Sequence, residues 1–199
     1  MLIEHDGKRP RVHDSAYVAP TAVLCGDVRV GADCRILFGA VLTAETGTIE
    51  VGESCIVMEN ALLRGRESHP VTIGDHVLVG PHAHVNGARI GSQVFLATGV
   101  SVFPGAQIGS ASEVRINAVV HVNSRVEPDT TVPIGWIAVG DPARLFEPGA
   151  HEQLWEVQEA MDFPGTVFGL AREEASMDRV CARYAETFGR HRDDRVVDE

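Results

Sequence analysis

Aromatic residues are scarce in this chain, at 6% of 199 residues with two tryptophans and two tyrosines, so its 44% apolar content is mostly aliphatic. Positive charge is also short: 17 Lys and Arg stand against 28 Asp and Glu, a formal net charge of −11. That excludes a dedicated nucleic-acid binder, which needs a basic field to displace counterions from phosphates. No apolar run reaches the roughly 18 residues that a membrane-spanning helix requires, so no membrane partner is expected. The opening stretch, MLIEHDGKRPRV, has no apolar core of the kind a signal peptide carries, which predicts a cytoplasmic protein. Four cysteines without CxxC or tight CxxH spacing point to free thiols in a reducing compartment, not to a disulfide framework or a zinc finger.

What the chain does have is valine with a period. Of 27 valines, 22 precede residue 151. Aliphatic residues recur every six positions at Val18, Leu24, Val30, Ile36 and Leu42, then at Val51, Val57 and Leu63 after a short insertion. After a longer insertion the register resumes at Ile73, Val79 and Val85, steps five to Ile90, and runs through Leu96, Val102, Ile108, Val114, Val120, Val126 and Val132. Small residues stand four positions later, among them Ala22, Cys34, Ala40, Cys55, Ala61 and Ser112, and glycine often follows the aliphatic directly. Six is not a multiple of the helical repeat, whereas three short strands per coil produce this spacing. The reading is an all-β domain over residues 1–146, a parallel β-helix of hexapeptide repeats. Each aliphatic points into a triangular prism, each small residue fits a corner, and each glycine tolerates a turn conformation closed to other residues.

Past Pro142 the period stops, and residues 147–199 read as a C-terminal appendage of α-helices. One helix is expected over 150–161, with Leu154, Val157 and Met161 on a face, and DFPG at 162–165 breaks it. A second is expected over 171–189, with Val180, Tyr184 and Phe188 on one side, and the end from Arg190 to Glu199 reads as frayed. These helices should lie against the prism or cap its open end.

The register also shows which side chains share a surface. Thr43, Arg64, Asn86, Phe103 and His121 should stack outward in one column, with Glu45 and Glu59 in the adjoining turns and the insertion RGRESHPVT leaving the column at Arg64. Cys34 and Cys55 become inward neighbours on successive coils, a thiol pair that fills corner sites.

From about residue 10 to residue 146 the chain resembles the gamma-class carbonic anhydrases and their wider group. The segments that carry the resemblance are PRVHDSAYVAPTAVLCGDVRVG, FGAVLTAE-x-G-x-I, VMENALL, VLVGPHAHVNGARIG and the closing VGDPARLF. It implies a left-handed β-helix, a homotrimer, and sites at subunit interfaces where three histidines hold zinc or another divalent metal. Carried over by residue, the first histidine position, after Met58-Glu59-Asn60, holds Arg64, and the other two hold Pro81 and Asn86. The position of the family's ordering arginine falls in Thr43-Ala44-Glu45. Neither arginine nor proline offers zinc a lone pair, so the resemblance implies that the usual zinc site is absent.

Several readings of the remodelled cleft stay open. Arg64 could pair with Glu45 or Glu59 as glue between subunits, or could clamp a carboxylate or phosphate beside Thr43 and Asn86. Glu45, Glu59, His82 and His84 are the acid–base candidates, and His69, His82 and His84 could form a relocated divalent-metal site or serve no catalytic role. Three functions follow. The first is a trimer that binds or converts a small carbonyl or carboxylate compound at the subunit interface. The second is a hexapeptide acyltransferase or thioester hydrolase using coenzyme A. The third is a non-catalytic trimeric binding or assembly protein.

Overall fold

The computed structural model describes residues 1–197 and is a left-handed parallel β-helix followed by short helices. Three inward ladders make the core. One runs Leu24, Leu42, Leu63, Val85, Val102, Val120 and Ala138 in direct parallel register. A second runs Val12, Val30, Val51, Ile73, Ile90, Ile108 and Val126. The third runs Val18, Ile36, Val57, Val79, Leu96, Val114 and Val132. Burying each such side chain contributes roughly 1.5–3 kcal/mol, against roughly 0–1 kcal/mol for an exposed ion pair. Stability therefore rests on the ladders.

The corners correct one reading of the glycines. Gly31, Gly52, Gly74, Gly91 and Gly109 do not adopt the left-handed conformation; that falls two residues later, at Asp33, Ser54, His76, Gln93 and Ala111. The glycines are required because successive coils touch there: a Cβ on Gly31 would lie 2.5 Å from the Gly52 carbonyl oxygen. The small corner residues are buried as expected, and Cys34 and Cys55 meet, the Cys55 amide donating to Cys34 Sγ at 3.4 Å. All four cysteines are free thiols.

Most strands are two or three residues long, but Val23–Val30 and Val41–Val51 run on around a corner. Val41–Val51 pairs by its first residues with Leu62–Arg64 and by its last with Val71–Ile73. The insertion after Arg64 stands beside this continuous strand, closed on itself by an Arg66–His69 bridge.

After strand Arg144–Phe146 the chain turns back along the prism. Helix α1 (His151–Gln158) continues into a short turn to Met161. DFPG then ends one helix and begins another, because the Asp162 carboxylate accepts from the Gly165 amide at 3.2 Å and starts α2 (Phe163–Phe168). Helix α3 (Met177–Gly189) buries Val180. A chain of rings tracks this descent: Phe163 packs on His121 and Phe103, then Phe168, Tyr184, Phe188 and His191 follow with centroids 5.3–6.4 Å apart. The terminal segment is not frayed as expected. Residues Arg195–Val197 form a strand antiparallel to Leu2–Glu4, and only positions 198–199 of that segment lie outside the described residues. Among the described residues no helix is long and apolar enough to cross a membrane.

Candidate functional site

The outward column of one face holds Cys25, Thr43, Arg64 and Asn86 in successive register, continued by Phe103 and His121. Glu45 belongs to the long strand Val41–Val51 and not to a turn, because that strand rounds the corner without a break. Its carboxylate is 5% exposed, accepts from Thr43 Oγ1 at 3.0 Å, and lies 3.8 Å from Arg64 Nε. The guanidinium of Arg64 sits over the Phe188 ring at 5.3 Å.

Between this face, the insertion and helices α2 and α3 lies a cavity of about 490 Å³. Arg64, Arg66 and Arg183 line it, against Glu45 and Glu67, together with Asn86 and His69. Arg66 Nη1 donates to the Val167 carbonyl at 2.7 Å, and burial lowers its pKa from the ordinary arginine value. Among the described residues, Arg64 Nε, Arg66 Nε and Asn86 Oδ1 are buried without a hydrogen-bond partner. Unpaired polar atoms of this kind are costly unless a ligand or water meets them.

The structure thus brings Thr43, Glu45, Arg64, Asn86 and His69 to one place. Glu59, His82 and His84 do not line the cavity. His82 occupies a left-handed corner where its amide donates to the Glu59 carbonyl at 3.0 Å. His84 lies in the neighbouring outward column, edge-on to Phe103 at 6.3 Å. Burial, with a smaller contribution from the Arg64 charge, lowers the His84 pKa; burial and Arg66 do the same for His69. Both shifts favour the neutral imidazole.

Residues with no visible role in the sequence prove central. His191 Nε2 lies 2.9 Å from Glu45 Oε2, and its Nδ1 lies 2.8 Å from Asp194 Oδ2. His5 Nδ1 meets the other Asp194 oxygen at 2.6 Å, and the two rings stack at 4.4 Å. Burial disfavours charge on His191, but Asp194 and Glu45 outweigh it and raise the pKa. Asp194 is depressed, since the bonds from His191 and His5 outweigh its desolvation. Burial and then the Asp194 charge push the Cys25 thiol up to about 12. The His191-x-x-Asp194 spacing was the one signal available; what it faces depends on where the C-terminal segment docks.

No protein-family model matches the chain. It is 29% identical over 175 residues to gamma carbonic anhydrase 1, mitochondrial, of Arabidopsis thaliana, across 84% of this chain and 62% of that protein. It is 24% identical over 158 residues to a carbonic anhydrase of Geobacillus kaustophilus, across 79% of this chain and 84% of that one. The chain is a gamma-carbonic-anhydrase-like hexapeptide-repeat protein. This gamma-carbonic-anhydrase-like chain spans less than two thirds of the length of the Arabidopsis relatives. Its fold is shared with a solved hexapeptide transferase family protein from Anaplasma phagocytophilum, at a TM-score of 0.54 and 21% identity over 92% of this chain and 96% of that one. Within the gamma-carbonic-anhydrase-like fold, Arg64 and Asn86 stand side by side on the column, while Pro81 lines a separate apolar groove of about 510 Å³ with Met58, Phe95, Ile116 and Ile134.

Proposed function

We propose that this protein is a homotrimer that binds, and converts, a small carbonyl or carboxylate compound without the three-histidine metal of its relatives. The observation that carries the reading is the convergence of Arg64, Arg66 and Arg183 on one cavity, with two buried guanidinium nitrogens left without a partner among the described residues. A planar carboxylate offers oxygens that a guanidinium fork meets in pairs. Neutral His69 at the rim is the group suited to take a proton from a bound substrate, and Glu45, held by Thr43 and His191, sets the charge beside it.

The donor set at the resemblance-assigned metal positions does not fit zinc. Arg64 has no lone pair to give, Pro81 has none either, and Asn86 alone offers one neutral oxygen. No step is therefore assigned to a metal there. Self-association is supported by the apolar groove around Pro81, where Phe95 is 42%, Ile116 44% and Ile134 62% exposed. Cytoplasmic placement is part of the same proposal, supported by four cysteines that all remain free thiols.

The test is calorimetric titration of the purified protein with small mono- and dicarboxylates and, separately, with acetyl-coenzyme A. Carboxylate binding that weakens at least about tenfold in Arg64→Ala supports the reading. Absence of any carboxylate binding overturns it. In that case a coenzyme A thioester that binds would favour the acyltransferase or thioesterase reading, and no ligand at all would favour an assembly protein. Light scattering of Ile116→Glu, expected to show monomers, tests the trimer separately.

A further inference from the structure

Four donor side chains from three distant parts of the chain meet two coils away from Arg64 on the same column. His5 follows the first strand, Cys25 lies on Val23–Val30, and His191 and Asp194 come from the turn after α3. Their candidate ligand atoms all lie within 4.8 Å of one another, and no other group of three or more His, Cys, Asp or Glu among the described residues does so. We propose that His5, Cys25, His191 and Asp194 form a structural site for zinc or a similar divalent transition metal, which clamps the C-terminal segment onto the first coils.

The donor chemistry fits. Two imidazole nitrogens, a thiolate and a carboxylate oxygen are a mixed set that zinc accepts in tetrahedral geometry. Both imidazoles turn Nδ1 toward Asp194, at 2.6 and 2.8 Å. Both turn Nε2 toward another carboxylate: Glu45 stands 2.9 Å behind His191, and Asp6 stands 3.9 Å behind His5. The Glu45 carboxylate, hydrogen-bonded behind His191, is the outer-layer partner that metal sites use to hold ring orientation and tautomer, while Asp6 stands beyond hydrogen-bond distance. Glu45 is itself held by Thr43 Oγ1, and Asp6 by Arg190 at 3.0 Å.

A metal-free clamp would need only one imidazole on Asp194. The second ring, stacked at 4.4 Å, and a buried thiol 3.6 Å from the same carboxylate add little to such a clamp, yet they complete a four-donor set. On binding, the ion takes the place of the hydrogen bonds to Asp194. The Cys25 thiol loses its proton to solvent, and so does His191 Nδ1, because both nitrogens of that ring donate to carboxylates before the ion binds. His191 keeps the Nε2 proton that Glu45 accepts, and His5 moves its one proton from Nδ1 to Nε2. Four protein donors leave no open position, so the site is structural and not catalytic.

The test uses the full-length protein, loaded with zinc, dialysed, and assayed for metal by mass spectrometry. The expected content is about one zinc per chain. Replacement by cobalt should add a thiolate charge-transfer band in the near ultraviolet, and Cys25→Ala should abolish both. Glu45→Gln should weaken zinc binding roughly 10–100-fold while the band persists at saturating cobalt. Cys25→Ala exchanges a buried thiol for a small apolar side chain, so metal loss with an unchanged circular dichroism spectrum is readable even where His191→Ala fails to fold. A wild-type protein without stoichiometric zinc and without a cobalt thiolate band overturns the proposal. So does zinc retained in both Cys25→Ala and His191→Ala. Arg64→Ala should keep the metal whether or not a carboxylate binds, which separates this site from the cavity proposal.

Discussion

His191 Nε2 and Glu45 Oε2 lie 2.9 Å apart across 146 positions of sequence, and this contact ties the C-terminal segment to the face that carries the cavity. In chelator-treated protein, His191→Ala leaves a 5%-exposed carboxylate without its strongest partner. The expected cost is about 1–3 kcal/mol. Hydrogen exchange should accelerate through α3 and the strand Arg195–Val197, with the prism unchanged. His191→Gln, which can still donate to Glu45, should recover part of the loss; no difference between the two variants would separate the contact from docking.

Arg64 and Arg66 share a cavity but do different work. Arg66 donates to the Val167 carbonyl, so Arg66→Ala should lower the melting temperature by loosening α2. The Arg64 side chain makes no hydrogen bond among the described residues and only a 3.8 Å approach to Glu45. Arg64→Lys should therefore leave the melting temperature near wild type and weaken carboxylate binding about tenfold, since an ammonium cannot reproduce the planar fork. Scanning calorimetry and titration on the two variants check the split.

The corners offer a pair of opposite outcomes. Gly52→Ala would place a Cβ 2.7 Å from the Gly74 carbonyl oxygen in the next coil, so it should destabilise the protein by several kcal/mol or prevent folding. Ala111 holds a left-handed backbone, φ +59°, that a side chain disfavours by about 1–2 kcal/mol. Ala111→Gly should accordingly be neutral to about 1 kcal/mol stabilising in urea unfolding, once the extra freedom of the unfolded glycine is subtracted.

The ladders from Val18 to Val132 are legible because a period of six survives any local noise, and the column Thr43–Arg64–Asn86 follows from it by counting. The reason for glycine at Gly31 and Gly52 is not legible, because close approach between coils and a left-handed backbone both ask for glycine. Arg66, Arg183, His191 and Asp194 could not be placed on the site from spacing, since neither the insertion nor the segment after the prism carries a record of the surface it covers. His5 reads as a lone histidine until Asp194, 189 positions away, is brought against it.

His121 supplies the pH test. The residue is 6% exposed, its ring packs against Phe103 and Phe163, and neither nitrogen has a hydrogen-bond partner among the described residues. Burial lowers its pKa below the ordinary 6.5, with a small opposing contribution from the Val122 backbone. The fold therefore prefers the neutral ring, while the unfolded chain takes up a proton near pH 6.5. As pH falls through that value the unfolded state gains a proton that the native state does not, so stability declines; above it the ring contributes no slope. His121→Phe keeps the packing and removes the titration. Unfolding free energies measured between about pH 8 and pH 5 should fall less steeply in the variant than in the wild type. Part of the slope should remain, because His84 is lowered by burial in the same direction. An unchanged slope would mean that His121 takes up its proton as readily in the native protein as in the unfolded chain.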